Sequence, residues 1–453
     1  MSKRFDYDLA IIGSGDAGGK AALIAAESRL KVALIEANKW GGSSLNSSNV
    51  PAGALFHAAQ VYKKAKDGIK YGISSASLRY NFPTLNNYRQ SAMRKAKANS
   101  KKVFEEAGIT CIHGRGRFIS KHELSVDDQI ITAKKFLIAT GASVLDTGIK
   151  IPATMGYWLP EDAVEAPRPP RTIFIIGGGS TGCEFAQYFA TLGSQVIIAD
   201  IAGRLLPRRD EEVGQVMDEV FNAEGIKVLT QSRVVALETD GQTKRVIFLR
   251  GGQEKAIKVD EVLMCTGSAP NVDLGLENAG VKFNRNGITV NDEMRTSQKH
   301  IYAAGDVVGG HSSTEKVEID AKVAVSHLIG KSHDKADYRG LIHITDTYPE
   351  VAQVGENEDD CLRADRKIRK IVLPLSEVQK SNIDDCKSGF IKLIVARKGG
   401  KIIGGTVMAP NAGLIAQELA FAICYDLTPE SLAIVPHLAN DWSALVREAC
   451  ERI

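Results

Sequence analysis

At 453 residues the chain is long enough for about three domains of ~150 residues each. Its 44% hydrophobic and 25% charged residues fit a soluble globular protein, and no apolar run approaches the ~18 residues that a membrane span needs. A net charge of +3 over this length gives no electrostatic case for nucleic acid. Seven cysteines without C-x-x-C or metal-ligand spacing predict reduced thiols and no metal centre. The polar opening, Met1 to Asp8, predicts no signal peptide and a cytoplasmic location.

Leu9-Ala10-Ile11-Ile12 has the character of a buried parallel strand. Gly13-Ser14-Gly15-Asp16-Ala17-Gly18 follows, and then an alanine-rich stretch, 20–27, with good helix propensity. A second apolar strand, 31–35, ends at Glu36. This is a βαβ unit with a G-x-G-x-x-G turn. Gly13, Gly15 and Gly18 let the backbone approach a pyrophosphate at the helix N-terminus, and Glu36 is placed to accept hydrogen bonds from a ribose. A lone glycine motif is weak evidence; the flanking strand, helix and closing acid make it specific.

The chain runs on into Gly41-Gly42-Ser43-Ser44-Leu45-Asn46-Ser47-Ser48-Asn49-Val50-Pro51-Ala52-Gly53. Here it resembles the flavoprotein disulfide reductases, the family of dihydrolipoamide dehydrogenase, glutathione reductase and mercuric reductase. That family reads G-G-T-C-x-N-x-G-C-x-P-S-K at this point, its two cysteines forming the redox disulfide beside the flavin. Ser44 and Asn49 stand at the two cysteine positions and Gly53 at the lysine position. The resemblance implies an α/β fold with two Rossmann-like dinucleotide-binding domains, for FAD and NAD, and a C-terminal α+β dimerisation domain. It implies flavin contacts from Gly42, Ser43 and Gly116, and a homodimer. The frame is kept and the sulfur chemistry is gone.

Residues 56–108 read as two helices joined by a turn at 72–83. The second, 85–107, carries Arg89, Arg94, Lys95, Lys97, Lys101 and Lys102, a solvated face rather than a nucleic-acid surface. Short strands follow around 109–116, 117–120, 123–126 and 135–138. Ala139-Thr140-Gly141 resembles the segment at which the family's chain leaves its flavin domain, so Thr140 and Gly141 are cofactor candidates. The proline-rich stretch 152–170 reads as a linker.

A second dinucleotide unit opens with the strand 172–176 and Gly177-Gly178-Gly179-Ser180-Thr181-Gly182. A helix over 183–192 and a strand over 195–199 end at Asp200. Gly13 to Glu36 and Gly177 to Asp200 have the same spacing, so Gly177, Gly179, Gly182 and Asp200 form a second complete fingerprint, with a second bound dinucleotide. Asp200 favours NAD(H), since it would repel a 2′-phosphate; Arg204, Arg208 and Arg209 keep NADP(H) open as the lesser choice. Cys265-Thr266-Gly267 resembles the return from the NAD domain, with Gly267 a cofactor candidate. Ile301-Tyr302-Ala303-Ala304-Gly305-Asp306 resembles the second flavin segment, which gives Asp306 a contact with the ribityl chain. The domains read as 1–150 and 271–338 for FAD, 151–270 for NAD and 339–453 for dimerisation.

Near the C-terminus the family reads H-x-H-P-T-x-S-E, its second histidine and glutamate forming an acid/base pair for the partner's disulfide. Here His437-Leu438-Ala439-Asn440-Asp441-Trp442-Ser443-Ala444 occupies the motif, with Ala439 and Ala444 at those two positions. His437 survives at the first histidine position, where structural and catalytic readings both stand. A thiol–disulfide relay needs a thiolate and a base, and a serine hydroxyl has no accessible two-electron redox step. Lipoamide, glutathione and mercuric ion are therefore rejected as substrates.

Ser44 and Asn49 would line the face that the sulfurs cover in relatives, open to a small electron acceptor. Trp442 either stacks on that acceptor or fills space left by the alanines. Glu184 pairs in the family with the lysine that Gly53 replaces. It either handles a proton with a raised pKa or finds a new partner. The leading expectation is an NAD(P)H-dependent flavin oxidoreductase passing electrons to a quinone-type acceptor. A flavoenzyme on an unrelated organic substrate, and a flavin-bearing scaffold or redox sensor without turnover, are the competing readings.

Overall fold

The computed structural model describes residues 4–74, 77–96, 100–310 and 313–453. Two compact units make it up: Met1–Ala54 with Asn86–Asp146 and Gly267–Asp337, and Leu55–Leu85 with Thr147–Thr266 and Tyr338–Ile453.

The first unit is built on β1 (Tyr7–Ile12), α1 (Asp16–Glu27) and β2 (Val32–Glu36). β1 pairs in parallel with β2, Leu9 opposite Val32, and with the strand Gln129–Ile138 on its other side, Ile12 opposite Ile138. Thr110–His113 extends the sheet beyond β2, and Ile301–Ala303 pairs in parallel with Gln129–Ile138. Leu9, Ile11, Leu34 and Leu137 share one buried cluster with Ala21, Ala22 and Ala25 of α1. Ile12, Ile35, Phe136 and Ile138 fill another. Strands covered on both faces are apolar without alternation, which is why these runs are legible. The turns after β1, Ile138 and Ala303 all leave the sheet at the carboxyl ends of neighbouring parallel strands, where α/β folds bind ligands.

The second unit holds a parallel sheet in the order Lys227–Leu229, Gln195–Ala199, Thr172–Ile176, Glu261–Met264. It also holds a three-stranded antiparallel sheet, Ser232–Asp240, Thr243–Arg250 and Gln253–Val259. A five-stranded antiparallel sheet runs Ile342–Thr345, Glu350–Gly355, Ile402–Ala409, Phe390–Ala396, Ile368–Pro374. Against it lies the helix Ala412–Cys424, burying Ile415, Ala416 and Leu419. Trp442 is 5% exposed within that core, its indole N–H donating to Asp384 Oδ2 at 2.9 Å, so of its two readings the structure takes the space-filling one.

Three local differences from the sequence reading have physical causes. The stretch 152–170 is not wholly a linker. Pro160–Glu165 is helical, with proline preset for the first turn and Asp162 Oδ2 accepting from Leu159 N at 2.9 Å. The helix expected from residue 56 begins at Asn49, forming α3 (Asn49–Asp67) after the short α2 (Gly42–Asn46). The basic helix is two, Phe82–Lys95 and Lys101–Glu106, and Lys97 lies outside the described residues. No helix among the described residues is long and apolar enough to cross a membrane.

Candidate functional site

The two glycine turns are built alike. A Cβ on Gly13 would stand 2.2 Å from the Ala139 carbonyl oxygen, and one on Gly18 would stand 1.8 Å from that of Gly13. In the second turn the same clashes recur at 2.2 Å, Gly177 against Cys265, and at 1.9 Å, Gly182 against Gly177. Strand, turn and helix are locked at van der Waals distance, which only glycine permits. Gly15 and Gly179 precede twelve-residue helices, and a Cβ on Gly179 would meet nothing within 4 Å. Bare amides at a helix N-terminus with open space before them, as at Gly179, fit a pyrophosphate, whereas at Gly15 a Cβ would meet Gly42 at 3.7 Å.

The closing acids repeat the likeness. Glu36 Oε2 accepts from Ser14 N at 2.9 Å and Ser14 Oγ at 2.6 Å, and Oε1 accepts from Asn38 N at 2.8 Å. Asp200 Oδ2 accepts from Gly178 N at 2.6 Å, and Oδ1 accepts from Ala202 N at 2.7 Å. Both carboxylates are held at the mouth of their turns, where a ribose would meet them. Beyond Asp200 a cavity of about 350 Å³ is lined by Ala202, Gly203, Arg204, Pro207, Glu211 and Gly214, among others. Arg204 Nη2 is turned to Pro207 O, Arg209 O and Asp359 Oδ2.

In the first unit, Thr140 Oγ1 donates to Asn271 O and Asn271 Nδ2 donates to Thr140 O, both at 2.9 Å. This pair fastens one point where the chain leaves the unit to one point where it returns. Gly141 accepts from Asn271 N at 3.0 Å, and Gly267 accepts from Leu145 N at 3.0 Å. Gly116 is buried, and a Cβ there would meet Leu124 at 3.1 Å and Ile12 at 3.4 Å. Asp306 opens a short 3-10 turn directly after Gly305.

Ser44 sits in α2 and Asn49 opens α3. The Ser44 hydroxyl donates to the Asp16 carboxyl, and Asn49 Nδ2 donates to Thr314 Oγ1 at 2.6 Å. Ser43 is exposed, its carbonyl accepting from Ser47 N at 2.8 Å. Sequence reasoning missed Asp16 and Thr314 as partners of this face. It also missed a buried support beneath Asp306. Asp320, 0% exposed, accepts from Gly305 N at 3.1 Å and from Lys316 Nζ at 2.7 Å. Lys316 and Asp320, one helical turn apart just after the motif, were the available signal.

In the second unit, Ser180 Oγ and Thr345 Oγ1 lie 2.8 Å apart, and Asp346 N donates to Glu184 Oε1 at 3.0 Å. Glu184 keeps some exposed surface, but its carboxyl is enclosed. Burial pushes it up to about 7, against the lowering effect of the Asp346 amide. A narrow pocket beside it is lined by Phe56, Lys63, Gln187, Asp346 and Tyr348, among others. His437 is held at both ring nitrogens, Nε2 by Glu418 Oε1 at 2.9 Å and Nδ1 by Val435 O at 2.7 Å.

Asp210, Glu212 and Glu358 bring three carboxylates within 4.8 Å of one another, a cluster the sequence did not reveal. Lys392, with a fully buried side chain, places Nζ among them at 2.8–3.0 Å. A lysine ammonium supplies the positive charge there.

Residues 7–327 match the family described as pyridine nucleotide-disulphide oxidoreductase, and residues 343–446 match its dimerisation domain. Over 440 residues the chain is 31% identical to a mercuric reductase of Staphylococcus aureus, spanning 96% of this chain and 80% of the relative. It is 30% identical over 461 residues to mitochondrial dihydrolipoyl dehydrogenase 1 of Arabidopsis thaliana, spanning 98% and 90%. The crystal structure of LpdA from Mycobacterium tuberculosis superposes with a TM-score of 0.87 at 25% identity, over 98% and 99% of the two chains. The Cu(II) complex of the flavoprotein disulfide reductase RclA from Escherichia coli gives 0.85 at 24% identity, over 99% of each, a likeness of fold.

Proposed function

We propose, for a chain that belongs to the pyridine nucleotide-disulphide oxidoreductase family, an oxidoreductase that moves electrons from NAD(P)H through FAD to a small quinone-type acceptor without a redox disulfide. Members of this family use FAD and NAD(P)H, and these cofactors, when bound, supply the hydride-transfer chemistry. Gly13, Gly15, Gly18, Glu36, Thr140, Gly141 and Asp306 would hold FAD. Gly177, Gly179, Gly182 and Asp200 would hold NADH. Residues 1–150 and 271–338 then serve FAD, 151–270 serve NADH, and 339–453 pair two copies.

One observation carries the reading. The first cysteine of the chain is Cys111, and Ser44 and Asn49, which the resemblance aligns with the family's two cysteines, each have a polar partner. No sulfur relay can run through a hydroxyl and an amide. Overall, NADH gives up a hydride, and the quinone gains two electrons and two protons, one proton coming from the chain or from water. Glu184, with a carboxyl that titrates near neutrality, is assigned the handling of one proton in the second unit. His437, engaged at both ring nitrogens, is assigned a structural role.

The test is anaerobic titration of the purified protein with NADH and NADPH, followed by a panel of quinones, oxygen and lipoamide. Flavin reduction by NADH with quinone-dependent turnover is expected. A flavin left oxidised by excess NADH, or robust lipoamide turnover, overturns the reading.

A further inference from the structure

The two turns differ at one telling position. After Gly179 the second helix begins with uncharged Ser180, whereas after Gly15 α1 begins with Asp16. A carboxylate therefore occupies the first helical residue at the place where a pyrophosphate would dock. An acid there is welcome to the helix dipole, but it competes with a second anion for the same field.

The surroundings make the competition sharper. The groups that act on Asp16 include Ser44 from α2, Asp306 from its 3-10 turn and Glu318 from the helix Thr314–Leu328. Two of these three are acids. Lys316 on that same helix is engaged by Asp320. His311 lies outside the described residues. Ser44 donates to the Asp16 carboxyl and fixes it in place. Asp16 is half-buried, and burial raises its pKa, with Glu318 and Asp306 acting in the same direction and the Ser44 bond opposing them.

We propose that Asp16 makes the hold on FAD pH-dependent, firm when its carboxyl is protonated and loose when it is ionised. The inference rests on the first glycine turn being an FAD site. Its sign follows from linkage. A bound pyrophosphate raises the Asp16 pKa further, so affinity falls as pH rises through the Asp16 titration. Each pH unit of coupling is a tenfold change in affinity.

The experiment dilutes the flavin-loaded full-length protein across pH 4 to 8.5, a range that opens at the ordinary carboxylate value, and follows FAD release by fluorescence, with thermal release of flavin as a second readout. The wild type is expected to release FAD about tenfold faster at the alkaline end. Asp16→Asn keeps an acceptor for Ser44, and Asp16→Ser copies the second turn. Both should hold FAD more tightly above neutrality and flatten the profile. High salt should flatten the wild-type profile too, because repulsion is screened. A loaded wild-type protein whose release ignores both pH and salt overturns the inference alone, whether or not the variants fold. Protein that never takes up flavin overturns the site reading beneath it.

Discussion

Asn49 Nδ2 donates to Thr314 Oγ1 at 2.6 Å, joining the first residue of α3 to the first residue of the helix Thr314–Leu328. The Asn49 amide is thereby committed to a hydrogen bond. Asn49→Ala should cost no more than about 1 kcal/mol of stability, because the bond lies near solvent. Chemical denaturation checks this. Flavin reduction by NADH should persist, while the KM for a quinone should move.

The cysteines give a direct test of sulfur-free turnover. Burial raises the thiols of Cys361 and Cys450 to about 12 and that of Cys386 to about 11, which leaves little thiolate at neutral pH. Alkylating the NADH-reduced protein with iodoacetamide should leave quinone turnover unchanged. Loss of activity in step with modification would point to a working thiol.

Glu184 should make stability fall as pH rises. Its folded pKa of about 7 lies above the ordinary 4.5, so both states are neutral at low pH and the folded state resists ionisation above 4.5. The loss accumulates between 4.5 and 7 and reaches on the order of 3 kcal/mol, an upper figure given the surface Glu184 retains. Glu184→Gln should raise the melting temperature at pH 8 and leave it nearly unchanged at pH 4.5.

Asp200 should set nucleotide choice. Its carboxylate is fixed by Gly178 N and Ala202 N, while Arg204 faces other acceptors. NADH should exceed NADPH by at least about tenfold in kcat/KM, or ~1.4 kcal/mol. Asp200→Ser should narrow that ratio mainly by improving NADPH.

Lys392 is predicted to be structural. Burial would lower its pKa, but Glu212, Glu358 and Asp210 outweigh that and hold it above the ordinary lysine value. Lys392→Met would leave three carboxylates crowded without their cation, at a cost of about 3–5 kcal/mol. Denaturation midpoints should recover in part at acidic pH, as the carboxylates protonate.

Much of this was legible because it is local. Apolar runs closed by glycine turns marked the parallel strands of both units, and Thr172–Ile176 and Gln195–Ala199 fall where the pattern placed them. What escaped was non-local or finely balanced. Lys392 meets Asp210 across 182 positions, and Asn49 meets Thr314 across 265, separations no periodicity encodes. Pro160–Glu165 hid inside a proline-rich stretch because proline both ends and begins helices. Ser44, Asn49 and Gly53 were singled out from the sequence by resemblance alone, whereas the Thr314 partner of Asn49 emerged only once the chain was folded.

The reciprocal clasp between Thr140 and Asn271 ties one exit of the chain from the first unit to one return, so the segment between them departs and comes back side by side on the antiparallel ribbon of Ala142–Val144 and Ser268–Pro270.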